Sequence, residues 1–212
     1  MITLSFSTIN NCLQPHNSHC WINRVTGRKP EDKAIYQEGK LVHDIIQRHV
    51  SSKERHKDLE HLDLRFPIVE ETERDPRCKF EVSGAFKGYS VIGFVDGLDH
   101  KNKRFLEIKS SSSPWSLGKF QKSFQRKLYA WAFEEMEEAV LVTCQRDPAL
   151  WSKEKPKVYT VPITKKDRED AVEFIWEGID VINKGDFTGG LSEDGYCDDP
   201  WCYYGNECQF KR

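Results

Sequence analysis

Residues 93–109 read Gly-Phe-Val-Asp-Gly-Leu-Asp-His-Lys-Asn-Lys-Arg-Phe-Leu-Glu-Ile-Lys, two short apolar-rich runs around a polar turn. If the chain reverses about His100 to Asn102, antiparallel pairing sets Asp96 opposite Glu107. Strand alternation then puts Glu107 and Lys109 on one face and Ile108 on the other. Two carboxylates and an ammonium converge on one small patch. Carboxylates that close repel each other unless a cation lies between them. Mg2+ or Mn2+, with oxygen ligands and several retained waters, suits such a place. An ion there lowers the pKa of a bound water and polarises a phosphoryl oxygen, while Lys109 positions the nucleophile or stabilises charge. An acidic surface pair with a salt-bridging lysine would give the same local pattern, so it needs support from elsewhere in the chain.

Two helical segments supply it. Lys33 to Ser51 carries Ile35, Leu41, Val42, Ile45, Ile46 and Val50 at near-helical period, and His43 lies at the edge of that stripe. Ser116 to Glu138 reads as a second helix, on which Gln125 and Tyr129 share a face with Gln121 a turn earlier. Lys119, Lys122, Arg126 and Lys127 cluster on the same segment and can track a phosphate backbone with salt-sensitive affinity, or form a solvated helix face. Trp115, beside the serine run 110–113, can stack a base or pack.

The other chemical cluster is Cys197, Cys202 and Cys208, spaced C-x4-C-x5-C in an aperiodic stretch. Three thiolates this close suit a soft or borderline metal. Zinc with His16 or His19 as fourth ligand and free thiols in a satellite core are the alternatives. Cys78 and Cys144 fall in strand-like runs and read as buried structural residues.

The elements positioning these groups read as a short helix capped by Ser7 and ended at Pro15, the Lys33–Ser51 helix and strands over Phe80 to Phe105. Next come the Ser116–Glu138 helix, strands at Ala139–Gln145 and Lys157–Val161, and a helix over Lys165–Asn183. This is an α/β pattern without an internal repeat or long linker. At 212 residues the chain is one domain, or one with a small appendage, against roughly 150 residues per domain. Its 38% hydrophobic and 31% charged residues exclude a disordered tail, a collagen-like fibre and a coiled coil. The net charge of −2 gives no global attraction to a polyanion, so any nucleic-acid contact must be local. No membrane-length apolar run or signal-peptide pattern occurs, and a cytoplasmic protein is expected, in a host cell if the source is viral. Seven cysteines without an export signal favour metal ligation over a disulfide framework.

In order, Gly39-x-x-x-His43, Gly93-Phe-Val-Asp96, Glu107-Ile-Lys109 and Gln125-x-x-x-Tyr129 make the chain resemble the RecB-type branch of the PD-(D/E)XK nucleases. That branch includes nuclease domains of bacterial recombination helicases and the Cas-four exonucleases. The likeness runs from about Ser5 to Cys208. It implies a central mixed β-sheet flanked by helices over 1–185, with a cysteine-rich tail at 186–212 closing onto the N-terminal segment. It implies a metal held by His43, Asp96, Glu107 and the Ile108 carbonyl, a catalytic Lys109, and Gln125 and Tyr129 orienting substrate or lysine. It implies DNA as substrate, often at single-stranded ends. A four-iron (4Fe-4S) cluster on Cys197, Cys202, Cys208 and one N-terminal cysteine is implied too. Here the first tail spacing is four residues rather than the frequent two, and Gln14-Pro15 stands where the family's Cys-Pro pair falls. Cys20 is the preferred fourth ligand and Cys12 the alternative. Partner proteins of recombination, replication or spacer acquisition fit the same resemblance. Rival readings are a non-catalytic DNA-end-binding or assembly subunit, and an adaptor built on the metal tail.

Overall fold

Amphipathic spacing and hydroxyl caps set most of the helices. The computed structural model describes residues 1–13, 34–69 and 75–185. Strand β1 (Ile2–Leu4) leads into helix α1 (Phe6–Leu13), and helix α2 (Ala34–Val50) follows. Strands β2 (Ile68–Val69), β3 (Lys79–Phe86), β4 (Tyr89–Phe94), β5 (Gly97–Asp99) and β6 (Arg104–Ser111) come next. The chain continues through helices α3 (Leu117–Gln121) and α4 (Phe124–Ala132), strands β7 (Glu138–Gln145) and β8 (Lys157–Pro162), and helix α5 (Lys165–Lys184).

The larger sheet has the order β2-β5-β6-β7-β8. It is mixed: β6 and β7 run parallel, joined through α3 and α4, and the other pairs are antiparallel. A smaller sheet, β1-β4-β3, lies beside it. The expected mixed α/β architecture is therefore present. The cysteine-rich tail, Cys20 and the candidate zinc ligands His16 and His19 lie outside the described residues.

Alternation along β6 builds two cores. Leu106 and Ile108 join Val42, Ile46 and Val50 of α2 together with Val140 and Val142 of β7. Phe105 faces the other way, into a core with Leu128 and Tyr129 of α4 and Ile175 and Ile179 of α5. Each fully buried aliphatic or aromatic side chain contributes about 1.5–3 kcal/mol before the entropy of ordering is subtracted. Strand β6 is thus clamped on both faces. Cys78 and Cys144 are buried in these cores as expected; Cys144 lies in β7, whereas Cys78 ends a 3-10 turn (Pro76–Cys78) rather than sitting in a strand.

Three local readings change. The helix expected over Ser116 to Glu138 is two helices, because Ser123 caps a new start: its Oγ accepts from the Arg126 N–H and the chain bends at Lys122. The second helix stops at Ala132, where Phe133 leaves helical geometry. At the N-terminus Ser5, rather than Ser7, occupies the capping position, its Oγ accepting from the Thr8 N–H at 3.3 Å. Strands β1 and β2, with three and two residues, are too short to carry an alternation signal.

Candidate active site

The chain changes sheets at Val95 and Asp96. β4 pairs within the small sheet, whereas β5, beginning at Gly97, pairs with β6 of the large one. Gly97 lies opposite Leu106, and the Asp96 N–H donates to the Leu106 carbonyl at 3.1 Å, so Asp96 falls across from Glu107 as the hairpin reading requires. Leaving one sheet for another turns the Asp96 carboxylate across β6. Oδ2 accepts from the Ile108 N–H at 2.6 Å, and Oδ1 lies 3.3 Å from His43 Nδ1.

Helix α2 holds this junction twice. His43 meets the carboxylate, and one turn later Gln47, 4% exposed, donates from Nε2 to the Asp96 carbonyl at 3.3 Å. The sequence reading passed over Gln47. The signal that would have found it is its spacing: four residues after His43, it shares that helix face.

On the opposite side a second chain of polar contacts begins at Glu107, which ion-pairs with Lys109. Lys109 Nζ donates to Gln125 Oε1 at 2.8 Å, and Gln125 Nε2 donates to Tyr129 Oη at 2.7 Å. Tyr129 is set edge-on against Phe80 and Phe105, with centroids 6.0 and 5.8 Å away. Gly93 permits that packing, because a Cβ there would lie 2.5 Å from the Phe80 ring. His43, Asp96, Glu107, Lys109, Gln125 and Tyr129 are thereby brought into one site by α2, the sheet switch, β6 and α4.

Burial pushes the Glu107 carboxyl up to about 7, and the neighbouring Asp96 adds to the rise, while Lys109 and His43 oppose it. Burial acts on Asp96 in the same sense, but His43, the Ile108 N–H and Lys109 outweigh it and hold Asp96 below the usual carboxylate range. Burial would lower His43, yet Asp96 raises it above the ordinary imidazole value. Among the described residues no three His, Cys, Asp or Glu side chains form a ready metal cage. The present pairs, His43 with Asp96 and Glu107 with Lys109, spend on each other the atoms that would face an ion. The donor chemistry fits a hard divalent cation nonetheless: a buried acidic pair, one member of which resists ionisation, is relieved by a positive ion between its oxygens.

The basic segment divides. Lys119 and Lys122 are exposed, and Lys119 Nζ lies 4.4 Å from the Trp115 ring centroid. Arg126 corrects the sequence reading: it is 2% exposed and ion-paired with Asp167 of α5, so it belongs to the core rather than to a phosphate-facing surface. The new helix start at Ser123 turns it inward. Lys127 is half-buried and bound to Asp170 at 2.6 Å. Trp115 donates its backbone N–H to Thr143 Oγ1 at 2.7 Å, and its ring centroid lies 5.4 Å from Lys109 Nζ.

A carboxylate at a sheet switch, facing a Glu-x-Lys strand inside a helix-flanked mixed sheet, defines a nuclease-type α/β site. The chain belongs to the PD-(D/E)XK nuclease superfamily, matched over residues 59–209. That span contains Asp96, Glu107, Lys109, Gln125 and Tyr129, and leaves out His43. The protein of the crystal structure of SSO0001 is 18% identical, with a TM-score of 0.52 over 86% of this chain and 77% of that one. A candidate exonuclease from Eubacterium rectale is 10% identical, with a TM-score of 0.52 over 86% and 82% of the two chains. LHK-Exo, an alkaline exonuclease from Laribacter hongkongensis whose structure holds dAMP, is 12% identical, with a TM-score of 0.51 over 85% and 88%. At these identities the likeness is one of fold. No curated protein sequence matches the chain significantly. No helix among the described residues is long and apolar enough to cross a membrane.

Proposed function

We propose that the protein is a metal-dependent deoxyribonuclease of the RecB type that hydrolyses single-stranded DNA from an end. The observation that carries this reading is the continuous contact chain Glu107–Lys109–Gln125–Tyr129 beside the His43–Asp96 pair. The exonuclease names of two of the fold neighbours support the end-directed mode.

Asp96 and Glu107, with His43 and the Ile108 carbonyl, would hold Mg2+ or Mn2+, which supplies Lewis acidity and a water of lowered pKa when bound. Gln125 Oε1 accepts one hydrogen bond from the Lys109 ammonium and Glu107 ion-pairs with it, so the ammonium is aimed rather than free to sweep. Lys109 then donates toward the attacking oxygen and offsets the charge growing on the phosphoryl group. Tyr129 fixes the Gln125 amide, so that Oε1 is the end that faces the lysine. Lys119, Lys122 and Trp115 line the approach, with Lys127 behind them. Residues 1–185 form the nuclease domain and 186–212 a tail. Cys197, Cys202 and Cys208 with Cys20, or alternatively Cys12, hold a 4Fe-4S cluster, zinc being the alternative occupant. Recombination, replication or spacer-acquisition proteins are the partners of such a domain.

Labelled single-stranded DNA incubated with Mg2+ or Mn2+ tests the reading. The wild type should shorten it and EDTA should stop the reaction. Asp96→Ala or Glu107→Ala should abolish shortening with an unchanged circular-dichroism spectrum. Full activity in either variant overturns the site, and an inert wild type that still holds DNA ends makes the protein an end-binding subunit.

A further inference from the structure

The rim of the large sheet beyond the catalytic lysine carries charge that the site does not use. Lys109 of β6 pairs directly with Thr143 of β7, and Thr143 pairs directly with Lys157 of β8. Residues paired in this way point to the same face of a sheet. Lys157 is therefore on the catalytic face, at the level of Lys109 and two strands away, roughly 10 Å in the hydrogen-bonding direction. Thr143, midway, anchors the Trp115 backbone, and the ammonium groups of Lys109 and Lys119 both approach the Trp115 ring.

The connection from β7 to β8 leaves from this same rim. Residues 146–157 hold four basic side chains, Arg146, Lys153, Lys155 and Lys157, against two acidic ones, Asp147 and Glu154. Both acids are engaged: Asp147 accepts from the Ala149 N–H at 2.9 Å, and Glu154 from Gln145 Nε2 at 2.6 Å. Among the described residues none of the four bases takes part in an ion pair. Lys153, Lys155 and Lys157 are exposed and line one cavity of about 660 Å³ with His61, Asp63, Glu154 and Tyr159, floored by the buried Leu62 and Leu64. Three unpaired lysines against two carboxylates leave the hollow net cationic, with the Tyr159 ring beside them, which suits a single nucleic-acid strand with phosphates on the lysines and a base on the tyrosine.

We propose that this rim, from Lys109 past Trp115 to Lys157, with Arg146, Lys153 and Lys155, is the track that holds the single strand beyond the scissile phosphate. The proposal rests on the nuclease reading and adds the path of the substrate across β8, which the basic cluster of α3 and α4 does not reach. The protein stays near neutral overall while the edge of one sheet is locally cationic.

The test is the binding of a labelled oligothymidylate by fluorescence anisotropy over a salt series, with EDTA present so that nothing is cut. Each lost phosphate contact on a single strand lowers the slope of log affinity against log salt by about 0.7. Lys155→Ala combined with Lys157→Ala should lower it by about 1.4, and Lys157→Glu should weaken binding further. Lys101→Ala, at the turn on the opposite end of β6, should match the wild type. A slope unchanged in the double variant overturns the track, as does a wild type whose binding ignores salt. If the slope falls as expected but Mn2+ never produces cutting, the track stands and the nuclease reading falls.

Discussion

Glu107 is a buried carboxyl that resists ionisation. Burial chiefly, and Asp96 next, raise its carboxyl to about 7. Below that pH the group is mostly protonated, so a cation must displace a proton to bind; above it the carboxylate is ready. Mn2+ affinity should therefore climb from pH 6 to pH 8, with proton release on binding shrinking over the same interval. Calorimetry in two buffers of different ionisation enthalpy checks this, and release that is flat with pH would remove Glu107 as a ligand. In the ion-free protein the sign reverses for stability: between the ordinary glutamate value and about 7, the unfolded chain is ionised and the folded one is not, so stability falls as pH rises. Gln47 makes a second residue-scale case. Its bond to the Asp96 carbonyl is worth about 1 kcal/mol net, and it also fixes the peptide from which the carboxylate projects. Gln47→Ala should cost about that much in urea denaturation and also weaken Mn2+ binding. Loss of stability with full metal affinity would reduce Gln47 to packing.

Elements bring these residues within reach, and they differ in how plainly the sequence announced them. The α2 helix, the hairpin at Asp96, and β7, β8 and α5 were readable because each has either a clear apolar period or a polar turn between apolar runs. The α3–α4 break was not, since apolar period continues across Lys122 and Ser123, and only the serine cap decides that the first helix ends. That one bend had a chemical consequence. It sends Arg126 into the core and leaves Gln125 facing Lys109. The site's acidic and lysine residues were legible from strand alternation, whereas Gln47 was not, because its role is to bond a backbone carbonyl of a distant strand. The strand containing Gly93 gives a prediction at this scale. A Cβ at Gly93 would sit 2.5 Å from the Phe80 ring and 3.4 Å from Tyr129. Gly93→Ala should cost about 1–3 kcal/mol as overpacking and lower turnover by displacing Tyr129 from Gln125. Gly118 in α3 has no atom within 4 Å of such a Cβ. Gly118→Ala should leave stability unchanged or raise it by up to about 1 kcal/mol, as thermal melts of the two variants would show.

At the scale of the whole molecule, α4 must stay docked on α5 for Gln125 to keep Lys109 aimed, and a buried ion pair joins the shared apolar core in holding it there. Arg126, 2% exposed, reaches Asp167 and the Gln121 carbonyl, the latter at 3.0 Å, while its Nε and Nη1 are buried without a hydrogen-bond partner. Asp167 also closes the capping box at the start of α5, accepting from the Thr164 N–H at 2.9 Å. Burial would raise the Asp167 carboxyl, but the Arg126 hydrogen bond and the Thr164 contacts outweigh it and hold it below the usual range. A depressed carboxyl contributes stability that is present above the unfolded-chain value near 4 and drains away as pH falls through the lower folded value. The acid limb of the stability curve should therefore flatten in Asp167→Asn. Removing the partner outright strands a buried guanidinium, so Asp167→Ala should cost roughly 3–5 kcal/mol. Arg126→Met removes the charge and its two orphaned nitrogens together, and Arg126→Met combined with Asp167→Ala should recover much of the loss. Urea denaturation of the wild type, the two single variants and the double variant measures the coupling. Turnover measured beside it separates fastening from chemistry: a double variant that regains stability should regain cutting, because neither residue touches the Glu107–Lys109–Gln125 chain directly. If cutting stays lost in a fully stable double variant, the docking of α4 on α5 is not what aims the lysine.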